Sequence, residues 1–160
     1  MGGYVALKLE STHPNSFESI VTMGTKFDWT PESSAKEVKM LNPAVIEEKV
    51  PRFAENLAVL HGKENWKTVV HKTAQMMLQL GEEPALTKTA ISAIKVPVVL
   101  LRGSEDKMVS REETEAIDAH LSKSLYAELE NTVHPIDQIN QQDLAKTLLH
   151  FLTLDFSYAL

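Results

Sequence analysis

Cysteine is absent from all 160 residues, which removes disulfide scaffolds, thiol nucleophiles, Cys-ligated zinc and iron–sulfur clusters together. Basic residues are in deficit, with 16 Lys and Arg against 22 Asp and Glu, a formal charge of −6 and a pI near 5.5. A chain of that sign lacks the positive footprint that binds phosphate backbones or anionic headgroups, so neither nucleic acid nor a membrane surface is an expected partner. Long apolar runs are missing as well. No segment approaches the roughly 18 apolar residues of a membrane span, and the amino end has no basic stretch followed by an apolar core. The expected compartment is the cytoplasm. Met1-Gly2 opens as an N-myristoylation signal does, but that signal wants Ser or Thr where this chain has Ala6. With only 6 Gly and 7 Pro, collagenous and low-complexity architectures are excluded.

What remains is an ordinary globular composition, 43% hydrophobic and 24% charged, in a chain of single-domain length. Gly2 to Leu9 is apolar on nearly all sides, as a helix buried against a sheet would be. Ile20 to Gly24 is short, β-branched and closed by glycine, which predicts a parallel strand. From Pro31 to Ile94 the pattern is helical and broken by prolines and glycines, with helices expected over Ser33 to Leu41, Arg52 to His61 and Trp66 to Leu80. Val96 to Leu101 is an uninterrupted apolar run and the expected central strand, with Pro97 tolerable only at its start. Ser110 followed by Glu113 is a capping-box pattern opening a helix whose apolar side holds Ala116, Ile117 and Leu121. Ser124 to Leu129 predicts a third strand and Gln141 to Leu152 a closing helix. This order gives an α/β fold with about three parallel strands and flanking helices. Three strands are few, and the first is expected to carry an exposed edge at Ile20, Val21 and Met23 that needs a cover.

Open α/β sheets place their sites on the loops at the carboxyl ends of strands. Two such loops carry chemistry: Gly103 to Val109, with Asp106, and Asn131 to Pro135, with His134. An acid and a histidine on adjacent strand ends suit a carboxylate that orients an imidazole and stabilises its cation. Each residue alone has a plainer reading, Asp106 as a turn former and His134 as a loop residue restrained by Pro135. Their joint placement favours a site. His13, His61, His71, His120 and His150 show no metal-ligand spacing, and no Gly-x-Gly-x-x-Gly follows a strand, so neither metal nor cofactor is expected. Trp29, Met40, Trp66, Met76 and Met77 read as helical core rather than as an assigned pocket.

These residues resemble the α/β-hydrolase family at three positions. Met1-Gly2-Gly3-Tyr4-Val5-Ala6-Leu7 is similar to the stretch that follows the nucleophile in the Gly-x-Ser-x-Gly elbow, Val96 to Asp106 resembles the acid strand and its loop, and His134-Pro135 resembles the histidine loop. The resemblance implies a partial α/β-hydrolase domain over residues 1–160, with 31–94 as a helical cap-like insertion. It also implies the carboxyl-terminal half of a serine hydrolase, with Asp106 and His134 as acid and base and the backbone N–H of Met1 in an oxyanion hole. The family's serine would precede Met1, so the nucleophile is expected to be absent from this chain and the chain alone to be inactive. Ser104 and Ser110 lie near Asp106 but on no elbow that would present a hydroxyl to His134. The implied partner is a small-molecule ester or acyl substrate, bound once the missing half is supplied. A reading from another class is a non-catalytic half-fold that forms a homodimer by pairing the exposed strand Ile20 to Met23 with a second copy.

Overall fold

The run Val98-Val99-Leu100-Leu101 needs cover on both faces, and a central parallel strand supplies it. In a computed structural model, which describes residues 1–153, this run opens strand β2 (Val98–Gly103), every residue of which is buried. The last residues of the expected domain 1–160 lie outside the described residues. Strands β1 (Ile20–Met23) and β3 (Ser124–Leu129) flank β2 in a three-stranded sheet of order β1-β2-β3. Both pairings are parallel: Ile20 stands opposite Val98, Val98 opposite Ser124, and Gly103 opposite Leu129. Each apolar side chain buried in β2 contributes about 1.5–3 kcal/mol relative to exposure. The strand starts at Val98 rather than Val96 because Pro97 has no N–H for the ladder, although its carbonyl still accepts from Ile20 N at 2.9 Å.

The α-helices of the described residues are, in chain order, α1 (Gly2–Thr12), α2 (Pro31–Val38), α3 (Pro43–Lys49), α4 (Pro51–His61), α5 (Trp66–Glu82), α6 (Lys88–Ser92), α7 (Arg111–Asp118) and α8 (Gln141–Leu152), with a short 3-10 helix over Ile136–Gln138 before α8. None is long and apolar enough to cross a membrane. The chain divides into two compact units, one of residues 28–85 and one of the rest.

In the sheet unit, α1 packs on β1 and α6, and α7 packs on β2 and β3. Tyr4, Leu7 and Glu10, three residues apart, form the buried stripe of α1. Gly3 permits the approach, since a Cβ there would stand 2.3 Å from Thr25 Oγ1 and 2.9 Å from Thr22 Cβ. Burial on nearly all sides of α1 does not occur: Val5 is 57% and Leu9 40% exposed, because a helix on one layer has only one covered face. β1 also differs from expectation. Its Ile20 and Thr22 side chains are buried and Val21 and Met23 half-buried, so its faces are covered. What stays open among the described residues is the lateral backbone edge away from β2. In α7 the buried residues are Glu113 and Thr114, while Ala116 is exposed and Ile117 half-buried. The Glu113 carboxylate explains the inversion, accepting from Ser110 N at 2.7 Å and Phe27 N at 3.1 Å.

The helical unit holds α2 to α5. Thr30 and Ser33 form a reciprocal capping box on α2, and Asn42 with Pro43 starts α3, each satisfying N–H groups that a first turn leaves unpaired. Ile46, Ala54, Trp66 and Val70 make its core, with Leu41, Leu57 and Ala58 packed around them. Trp29 is also buried, Met76 and Met77 are half-buried, and Met40 is 59% exposed because it lies beyond the end of α2. The unit begins before Pro31 and ends at Ala85, and α6 instead packs on α1.

Candidate active site

The loop after β2 is built around one carboxylate. Asp106 N donates to Gly103 O at 3.1 Å, which tightens the turn, and Oδ1 then accepts from Met108 N at 2.8 Å and Val109 N at 2.9 Å. The side chain is 1% exposed. The loop after β3 is tied to it directly. Ser104 N donates to Leu129 O at 2.9 Å, Glu105 N to Thr132 O at 3.0 Å, and Asn131 N to Ser104 Oγ at 2.9 Å. Gly103 makes the contact possible, because a Cβ there would fall 2.1 Å from Thr132 O. Asn131 takes a left-handed conformation, φ 51°, which asparagine tolerates and which turns the chain toward His134.

These two loops bring His134 Nδ1 to 2.8 Å from Asp106 Oδ2. Burial pushes the Asp106 carboxyl up, but the Val109 N–H, the bond to His134, the Met108 N–H and the His134 charge outweigh it and hold the group below its ordinary value. Asp106 is therefore ionised at neutral pH and only accepts, so Nδ1 carries the proton that it donates to Oδ2. The lone pair of a neutral His134 then sits on Nε2, which makes no hydrogen bond among the described residues. With the His134 side chain 32% exposed, the arrangement can take up a proton at Nε2 while the Asp106 carboxylate orients the ring from behind.

Sequence reasoning treated Gly24 only as a strand end, yet it touches this pair. Its N–H donates to Leu101 O at 2.9 Å, its φ is 52°, and a Cβ would lie 3.3 Å from Asp106 Oδ2 and 3.4 Å from His134 Nδ1. A glycine directly after a parallel strand was the available signal. Met1 is the N-cap residue of α1 and bonds neither Asp106 nor His134 among the described residues. The amino end of α1 nevertheless lies at the same end of the sheet, because Gly3 packs on Thr22 and Thr25 while Gly24, between them, packs on the pair. Helix amino ends present unpaired N–H groups that favour developing negative charge.

Neither nearby serine faces His134. Ser104 Oγ accepts from Asn131, and Ser110 is the cap of α7. His13 pairs with Thr12 Oγ1 at 3.1 Å, His150 stacks edge-on with Phe151 at 5.3 Å, and His61 and His71 lie in α4 and α5. His120 follows α7. Among the described residues no group of three or more His, Asp or Glu could hold a metal ion.

Solved structures show the same fold as this parallel sheet and its flanking helices. No protein-family model and no curated protein matches the chain. Among solved structures, NosK from Streptomyces actuosus superposes with a TM-score of 0.76 at 20% identity, over 94% of this chain and 64% of NosK. An α/β-hydrolase enzyme from a Medee basin deep-sea metagenome library gives 0.64 at 16% identity, over 98% and 64%. A thermophilic esterase from Thermogutta terrifontis gives 0.60 at 18%, over 94% and 61%. The chain has the α/β-hydrolase fold, in part: it spans 61–64% of the length of these structures.

Proposed function

We propose that the chain is the acid-and-histidine part of a serine hydrolase acting on ester or related acyl substrates, its serine supplied by polypeptide outside these 160 residues. The observation that carries this reading is the 2.8 Å bond from His134 Nδ1 to the buried Asp106 carboxylate across adjacent strand ends. Likeness in fold to solved structures that include an esterase supports the reaction class. In this mechanism His134 Nε2 takes the serine proton as the serine oxygen bonds to the acyl carbon. Asp106 stabilises the imidazolium, and the N–H groups at the amino end of α1, from Met1 onward, face the developing oxyanion. The imidazolium then gives its proton to the leaving group, and water repeats the sequence on the acyl-enzyme. Asp106 stays ionised throughout.

The test begins with the gene, read in frame upstream of the Met1 codon. The expected frame is open and ends in Gly-x-Ser. The longer chain should hydrolyse short acyl esters, take up a serine-directed phosphonate, and lose about 10³-fold or more in kcat with His134→Ala. The 160-residue chain alone should take up none. A longer chain that carries the serine and folds, yet neither hydrolyses esters nor takes up the phosphonate, overturns the proposal.

The open lateral edge of β1 favours a second reading, a non-catalytic homodimer paired through Ile20 to Met23. Sedimentation should then give about twice 17.9 kDa, and a persistent monomer at micromolar concentration rejects it.

A further inference from the structure

Behind Asp106 lies a buried cation that the proposed proton transfers do not use. Arg102 is 9% exposed within β2, and a guanidinium taken out of water requires partners for its N–H groups. Nε donates to Val109 O at 2.7 Å, Nη2 to Asp106 O at 2.8 Å, and Nη1 to Glu128 Oε1 at 2.7 Å. Glu128 is the register partner of Arg102 on β3. It also accepts from Arg111 on Oε2 and from the Tyr126 hydroxyl at 2.7 Å on Oε1. Burial and the bond to Glu128 push the Tyr126 phenol up to about 12, so it stays a donor. The Tyr126 hydrogen bond, against burial and with help from Arg102 and Arg111, holds Glu128 below its ordinary value.

The two carbonyls that Arg102 grips, those of Asp106 and Val109, bracket the turn whose N–H groups at Met108 and Val109 point at Asp106 Oδ1. A planar fork fixed at three points sets the spacing of those carbonyls and thereby the direction of the N–H groups between them. A lysine ammonium is a point charge on a flexible stem and cannot impose the same spacing.

We infer that Arg102 is a positioning residue for the Asp106–His134 pair: its guanidinium, anchored by Glu128, ties the Asp106 and Val109 carbonyls together and so aims the Met108 and Val109 N–H groups at the carboxylate. Its meaning for catalysis rests on the proposed function, while its physical content concerns the pair alone. The test uses the whole chain with carboxyl-labelled Asp and ¹⁵N-labelled His, followed by NMR. In Arg102→Met the Asp106 titration midpoint should rise by about one pH unit, and the hydrogen-bonded Nδ1 proton of His134 should exchange faster. Arg102→Lys should recover part of both effects, and Glu128→Gln should show a smaller shift in the same direction. Removing the exposed Lys146 to Asp143 contact with Lys146→Met should change neither signal. An Arg102→Met protein that folds with both signals unchanged overturns the inference. If that variant does not fold, unchanged signals in Arg102→Lys and Glu128→Gln overturn it equally, and so does loss of the fold in all three. Failure of the hydrolase reading is separable, because it appears as a longer chain without phosphonate uptake whose Asp106 and His134 signals still respond to Arg102.

Discussion

The two units of this chain treat charge in opposite ways. The sheet unit buries Glu10, Arg102, Asp106 and Glu113. The helical unit of residues 28–85 buries no charged side chain among the described residues, and leaves Phe53, Val59 and Leu60 of α4 exposed. One ion pair of that unit, Lys67 with Glu47 at 2.7 Å, is half-exposed on both sides, and Lys67 also lies 5.5 Å over the Trp66 ring. In the sheet unit every buried charge has fixed partners: Glu10 holds the N–H groups of Asn15 and Phe17, and Glu113 those of Ser110 and Phe27. Buried ions constrain geometry because losing one partner strands the other. The sheet unit is therefore specified in detail where Asp106 and His134 meet, and the helical unit is specified mainly by caps and apolar burial.

That contrast orders the expected effects of substitution. Leu100→Ala in β2 should cost about 2–5 kcal/mol, measured by urea unfolding, because a fully buried strand cannot close the cavity. Glu113→Ala should cost about 1–3 kcal/mol, since it strips two backbone N–H groups of their acceptor at once. Acid should reveal Asp106 next. Its folded value lies below the unfolded one of about 3.9, so its stabilisation is complete above the unfolded value and is lost as pH falls through the folded one. A chain carrying Asp106→Asn should lack that part of the acid dependence when unfolding is followed against pH. Leu60→Ser in α4 should change stability by no more than about 0.5 kcal/mol. Should Leu60→Ser prove as damaging as Glu113→Ala, the contrast between the units fails.

The sequence made the regular elements of the sheet unit legible where pattern and burial coincide. β3 runs from Ser124 to Leu129 and α8 from Gln141 to Leu152 as periodicity predicts, and Ser110 with Glu113 forms the expected capping box. The Asp106–His134 contact was legible only from the joint placement of the two residues on adjacent strand ends, since each alone reads as an ordinary loop residue. What periodicity could not show were effects of partners distant in sequence. β2 runs on through Arg102 because Glu128 and two carbonyls receive its charge, and α7 buries Glu113 in place of Ala116 because Phe27 N–H needs an acceptor. The short helices α3 and α6 were missed, although Asn42-Pro43 is itself an N-cap signal. Gly24 needed the third dimension, since its value lies in the space it leaves beside the pair.

The most direct test of the central claim is the tautomer of His134, read from its two ¹⁵N shifts in the whole chain at alkaline pH. A protonated Nδ1 and a bare Nε2, with that preference lost in Asp106→Ala, is the predicted result. A proton on Nε2, or a spectrum indifferent to Asp106→Ala, would contradict the account, because Asp106 would then not be holding the imidazole as a base.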